Sequence, residues 1–177
     1  IRLNTPTVLE PEMTLTLDGG ELRCGYAELG DPGIPHLTVE IPDLMLRLDE
    51  EEQLAALRAL GRRLRYHPAL HKGANVNFYQ VNGPHHVRQL TYERGVEDFT
   101  MACGTGAGTL AAVLTLQGRM DGGPVQVQTA GGDLDVEVQT ENGRVSVLYL
   151  TGAALFVYSG ELAEDFLHPV VIEDITE

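Results

Sequence analysis

The amino-acid sequence predicts an α+β domain: a mostly antiparallel sheet or barrel wrapped around a central apolar helix, with one amphipathic helix on its surface. Three observations lead there. Short runs with period-two alternation, VQVQT (125–129), DLDVEVQ (133–139) and VSVLYL (145–150), follow one another through tight turns, the pattern of antiparallel neighbours. One segment, 50–65, carries an apolar stripe at helical spacing. Another, 105–117, has the length of a helix and no charge on any face.

In chain order, IRLNT, ELRCGYAEL (21–29) and HLTVEI (36–41) read as strands. The first helix starts after Asp49, an N-cap with Glu52 three residues on, and its stripe is Leu54, Leu57, Leu60 and Leu64. Acids at its start and arginines at its end suit the helix dipole, and its charges read as solvated. NVNFYQV (75–81) and HVRQLTYER (86–94) form a hairpin around Asn82-Gly83-Pro84. The second helix, Thr105 to Gln117, must be buried all round, and at about 13 residues it is too short to span a bilayer. Gly106, Ala107 and Gly108 keep its first turns slim enough for close approach. Asn142-Gly143 joins the last two alternating strands as a hairpin, and ALFVYSG (154–160) follows as a further strand. With no internal repeat and no separating linker, residues 1–160 read as one domain and 161–177 as an acidic tail, its VVIEDI an isolated strand or a frayed end.

The 177 residues carry a formal charge of −14, from 26 acids against 12 bases. Such a surface repels phosphate backbones and anionic bilayers, so no nucleic-acid or membrane partner is expected. No basic-then-apolar leader is visible, which points to the cytoplasm. The opening residue is Ile1, so an upstream segment is expected to have been removed or left out. Two cysteines, Cys24 and Cys103, make no disulfide framework and fit a reducing compartment. Cys24 reads as a small buried hydrophobe in a strand. The lone lysine, Lys72, stands in a turn-like HKG and reads as a solvated loop residue, which argues against pyridoxal phosphate chemistry.

Chemistry concentrates in TMACGTGAGTLAAVLTLQG (100–118). The first amides of a helix lack intrahelical partners and its dipole leaves that end partly positive, so an anion settles there and a thiol there ionises more easily. Cys103, Gly104 and Thr105 thus combine a polarised thiol with a cradle for a carboxylate or phosphate. A buried cysteine beside a glycine turn is the alternative. A P-loop lysine is missing, and the glycine spacing is not the dinucleotide fingerprint. A cysteine hydrolase would need an imidazole base, for which six histidines are available without a local signature. No metal is expected: Pro68 separates His67 from His71. Upstream, Glu93 and Arg94 end an alternating strand. Arg94 suits a carboxylate and Glu93 an ammonium or the thiol, with a surface ion pair as the alternative.

Taken together, YERG, ACGTGA before an apolar helix, AGGDLDVEV and LYLTGAALFVYSGE, preceded in order by IPHLTVEI, RRLRYHPAL and GANVNFYQV, resemble the diaminopimelate epimerase family over nearly the whole chain. The resemblance implies an isomerase that works without a cofactor, built from two similar halves, each a sheet wrapped on a central helix. It also implies two cysteines on opposite faces of an amino-acid α-carbon, one thiolate removing the α-proton and one thiol returning a proton. Cys103 matches the second of these cysteines. Gly104 and Thr105 match the cradle of the α-carboxylate, Glu93 the polar partner of the thiol, Asn75 and Arg94 the groups that grip substrate, and His36 a histidine beside the other cysteine.

In the family that this chain resembles, the first cysteine lies in an N-terminal half with a Gly-Asn-Gly motif, which this sequence does not contain, and Cys24 is not its counterpart. The chain therefore reads as the C-terminal half of the fold, partnered by the N-terminal half and a small amino acid; a homodimer is an admissible assembly, and the tail 161–177 is expected to pack on the other half. Ile34 stands where the family often has an asparagine that binds the distal end of diaminopimelate, which brings forward a racemase for another amino acid. A non-catalytic carboxylate-binding half is the reading of a different class.

Overall fold

The computed structural model describes residues 1–121 and 123–162. Its elements are β1 (Arg2–Leu3), β2 (Pro6–Leu17), β3 (Gly20–Leu29), β4 (Ile34–Glu40), a 3-10 turn at Met45–Arg47, α1 (Glu50–Arg65), β5 (Asn75–Gly83), β6 (His86–Tyr92), β7 (Phe99–Thr100), α2 (Gly104–Leu116), β8 (Val125–Thr129), β9 (Gly132–Glu141) and β10 (Arg144–Gly152).

The strands form one sheet in the order β1-β10-β9-β8-β6-β5-β4-β3-β2, with β7 added beside β6. Pairing is antiparallel except at β4/β5 and β6/β8. Those two parallel pairs are the ones bridged by α1 and α2, because parallel neighbours need a crossover long enough for a helix. Strands β1 and β2 stand at opposite ends of this order, yet only Asn4 and Thr5 separate them. The sheet therefore has to curl until its two ends meet. Helix α2 fills the interior: Gly25 of β3 lets Val113 approach so closely that an added Cβ would lie 2.6 Å from its Cγ1, and one at Gly108 would lie 2.5 Å from Leu3 of β1. Residues Ala107 and Leu110 to Leu114 are fully enclosed, and each large one contributes about 1.5–3 kcal/mol by leaving water. Helix α1 packs on the outer side of the sheet through Leu57 and Leu64, with Val76, Phe78 and Tyr92 beneath them. No helix among the described residues is long and apolar enough to cross a membrane.

Both helices fall within a residue of the expected bounds, and Asp49 caps α1 by accepting from the Glu52 amide at 2.9 Å. Asn142 and Gly143 take positive φ of 53° and 73°, as the tight hairpin requires.

Two expectations need correction. Strand β2, twelve residues long, was not anticipated. Its Pro6 and Pro11 argue against a strand, but β2 ends the strand order and its register shifts between Glu10 and Met13, around Pro11. An edge with a bulge is the place where a missing amide donor does little harm. Conversely, ALFVYSG is no strand: 153–162 joins no ladder, and Leu155, Phe156, Val157 and Tyr158 are at least 87% exposed. Its alternation has no neighbour to pair with among the described residues. VVIEDI and most of the acidic tail lie outside the described residues.

Candidate active site

Helix α2 begins where β7 ends. Cys103 is its N-cap with extended backbone (φ −136°), and the first intrahelical bond runs from the Ala107 amide to the Cys103 carbonyl at 2.9 Å. The amides of Gly104, Thr105 and Gly106 are thus left without intrahelical acceptors, at the positive end of the dipole. Gly104 and Thr105 are half-exposed, Met101 and Ala102 exposed, and the thiol itself is buried.

That burial overturns the expectation of an easily ionised thiol. Desolvation pushes the Cys103 pKa up and outweighs the rest. The Thr105 hydroxyl, 3.6 Å from Sγ, and the Gly106 amide pull it down, while the Glu93 carboxylate pushes it up by charge and by hydrogen bonding. The resting group is therefore a thiol. Removing the Glu93 charge as Glu93→Gln should lower the Cys103 pKa and speed its alkylation by iodoacetamide at mildly alkaline pH several-fold. Thr105→Ala should slow it, and equal rates in both variants would refute this balance.

Glu93 is held half-buried by the Thr100 hydroxyl, which donates to Oε2 at 3.1 Å. Its turn, residues 93–98, is tied to α1 by Arg58 to Asp98 at 2.7 Å and Arg65 to Glu97 at 3.2 Å. The arginines of α1, expected to be merely solvated, thus brace the loop that carries Glu93. Arg94 does not pair with Glu93. Its amide donates to buried Asn75 Oδ1 at 2.8 Å and its guanidinium to the Lys72 carbonyl at 3.1 Å, and among the described residues it has no carboxylate partner. Lys72 is likewise more than a solvated loop residue, since its Nζ lies 2.6 Å from Oε2 of buried Glu28.

His36 lies fully buried on β4, its pKa lowered to about 4 by burial first and the Arg94 charge second, so it is neutral at ordinary pH. Ile34, two residues before it, is 40% exposed. The sequence reading missed the group that joins these pieces. Asn77, Gln89 and Thr91 form a buried polar cluster on β5 and β6: Thr91 Oγ1 donates to Asn77 Oδ1 at 2.9 Å and accepts from Gln89 Nε2 at 2.9 Å. The signal was the NVNF spacing, which puts Asn75 and Asn77 on one face of a strand otherwise lined for a core.

Cys24 is buried as expected, its thiol donating to the Met13 carbonyl at 3.5 Å and its pKa pushed up to about 12, chiefly by burial. It lines a cleft of about 630 Å³ with Gln117, the C-cap of α2, which places it roughly 20 Å from Cys103 at 1.5 Å of rise per residue. That cleft lies toward the other end of α2. Its Arg119 is taken up bidentately by Glu40 at 2.7 and 2.8 Å.

Comparison with known proteins gives a consistent result. The family model described as diaminopimelate epimerase matches residues 30–157. A diaminopimelate epimerase of Aquifex aeolicus is 36% identical over 164 residues, covering 92% of this chain and 54% of the relative. One from Xylella fastidiosa is 38% identical, covering 84% and 47%. The chain thus spans about half the length of the curated relatives it matches. Among solved structures, a probable proline racemase of Agrobacterium radiobacter superposes with a TM-score of 0.61 at 20% identity, over 88% of this chain and 53% of that one. A hydroxyproline epimerase of Agrobacterium vitis gives 0.55 at 22% identity, over 82% and 46%. At those identities the likeness establishes the fold.

Proposed function

The chain belongs to the diaminopimelate epimerase family, and from that premise we propose that it is the C-terminal half of a cofactor-independent amino-acid epimerase or racemase. Cys103 is one of its two thiol bases and an N-terminal half supplies the other. The observation that carries the reading is the start of α2, where a thiol and the amides of Gly104 and Thr105, left without intrahelical acceptors, meet in one turn. An α-carboxylate seated on the amides of Gly104 and Thr105 holds its α-carbon next to Sγ, and the same amides stabilise the charge that grows on the carboxylate as the α-proton leaves. In the direction in which Cys103 begins as a thiol, a thiolate on the opposite face takes the α-proton. The Cys103 S–H bond then breaks as its proton joins the α-carbon from the other side. In the reverse direction the two groups exchange roles. Glu93 keeps the Cys103 proton in place, and Arg94 with Asn75 orients the rest of the substrate.

The test is exchange of the α-hydrogen with deuterium from solvent. The full-length protein should exchange it in diaminopimelate or a related amino acid, whereas residues 1–177 alone should not. Exchange by residues 1–177 alone would remove the two-thiol mechanism, and absence of exchange by the full-length protein would favour a carboxylate-binding half. Ile34, exposed two residues before His36, favours a second reading within the family: a racemase whose substrate lacks a polar distal end.

A further inference from the structure

The side chain of Asn77 faces two different parts of the site at once. Its Nδ2 lies 3.0 Å from the Leu37 carbonyl and 3.3 Å from Nδ1 of His36, and its Oδ1 accepts from Thr91. A carbonyl oxygen can only accept, so the Asn77 atom facing Leu37 is the NH2 group, and Thr91 completes the same orientation from the other side. The second hydrogen of that NH2 is then directed at His36 Nδ1. An amide nitrogen has no lone pair to offer, so Nδ1 must be the bare, accepting nitrogen, and the single proton of the neutral ring sits on Nε2. His36 Nε2 is buried and has no hydrogen-bond partner among the described residues.

We propose that Asn77 is a positioning residue that locks His36 in the Nε2–H tautomer, so that the imidazole meets its partner as a hydrogen-bond donor and not as a base. The purpose of this donor rests on the epimerase reading. A pair of thiols that passes a proton across an α-carbon needs one member as thiolate at the start, and Cys103 starts as the thiol. On that reading a hydrogen bond given by His36 to the other thiol favours its thiolate, because a hydrogen bond given to the charged form stabilises it. Asn77 also borders the first turn of α2, which carries Cys103. An added Cβ at Gly106 would fall within contact of Asn77 Oδ1 and lie 3.2 Å from Cys103 Sγ. One amide thus fixes the proton position on His36 and lies against Gly106 at the start of α2.

The experiment is a two-bond 1H–15N spectrum of the full-length protein labelled at histidine, with His36 identified by elimination against single variants of the other histidines. The expected result is one tautomer near neutral pH, with a protonated-type Nε2 and a bare Nδ1. In Asn77→Asp the carboxylate should draw the proton to Nδ1, and in Asn77→Leu the bias should disappear, leaving the Nε2–H fraction well below its level in the unaltered protein. A proton on Nδ1 in the unaltered protein would overturn the assignment, as would a tautomer that neither variant changes. The unaltered protein decides even where a variant fails to fold. If the tautomer is as stated but α-hydrogen exchange is absent, the epimerase reading falls and the lock stands. Exchange with the wrong tautomer removes the lock alone.

Discussion

In the full-length protein, Cys103→Ser should cut epimerisation by about 10³-fold, close to 4 kcal/mol of transition-state stabilisation, while leaving the thermal midpoint nearly unchanged. Serine replaces sulfur by a smaller oxygen in a pocket that already holds a polar group, with the Thr105 hydroxyl beside it. The fold therefore tolerates the exchange. The chemistry does not, because a hydroxyl gives up its proton far less readily than a thiol, and burial beside Glu93 would push it further in that direction. Deuterium exchange should be lost from the isomer whose α-hydrogen faces Cys103. Exchange retained at the parental rate in both isomers would show that the thiol is not a base. A large drop in thermal midpoint would show that the residue is structural.

Gly106→Ala should be the more destructive change even though it adds one methyl group to a helix. In an exposed helix this substitution gains up to about 1 kcal/mol. Here the new Cβ would overlap Asn77 Oδ1 and lie 3.1 Å from Asn77 Cγ. Asn77 cannot swing aside, since the Leu37 carbonyl, His36 and Thr91 all hold it in the buried sheet. Overpacking against a fixed group costs about 1–3 kcal/mol and outweighs the propensity gain at all but the lowest end of that range. The midpoint should fall by several degrees, with activity falling further because Sγ borders the same space. Gly108→Ala is the control: its Cβ overlaps the tip of Leu3, a flexible side chain that can turn away, and meets Leu29 Cδ1 at an ordinary 3.9 Å. Equal midpoints for the two variants would show that Asn77 is not the rigid wall described.

These residues also show what a sequence can and cannot convey. The enclosed helix was legible because a helix with no polar face has only one place to go, and α2 runs from Gly104 to Leu116 inside the sheet. The position of Cys103 at its beginning followed from the glycines behind it. Its ionisation did not follow, because the dipole is a local property whereas desolvation depends on chain that folds over the thiol from elsewhere. Strand β2 was hidden by two prolines whose harm vanishes at an edge, and edges are set by sheet order, which local pattern does not contain. ALFVYSG failed in the opposite sense, since alternation describes a strand's faces and says nothing about whether a ladder partner exists. Asn77 was overlooked because a single polar residue in a core-facing position acquires meaning only through Leu37, His36 and Thr91, which lie on other parts of the chain.

The meeting of the two sheet ends carries a kinetic consequence. Arg2 pairs with Tyr149, and the Ile1 nitrogen donates to the Leu150 carbonyl at 2.7 Å. As a chain emerges residue by residue, β1 has to wait for nearly the whole domain to be made before its partner exists. Closing so long a loop is entropically costly, and contacts of such separation form late. The hairpins β2/β3 and β5/β6 can assemble early, but the ring around α2 can be sealed only by β10. Until that moment the helix with no polar face lies beneath an unfinished wall.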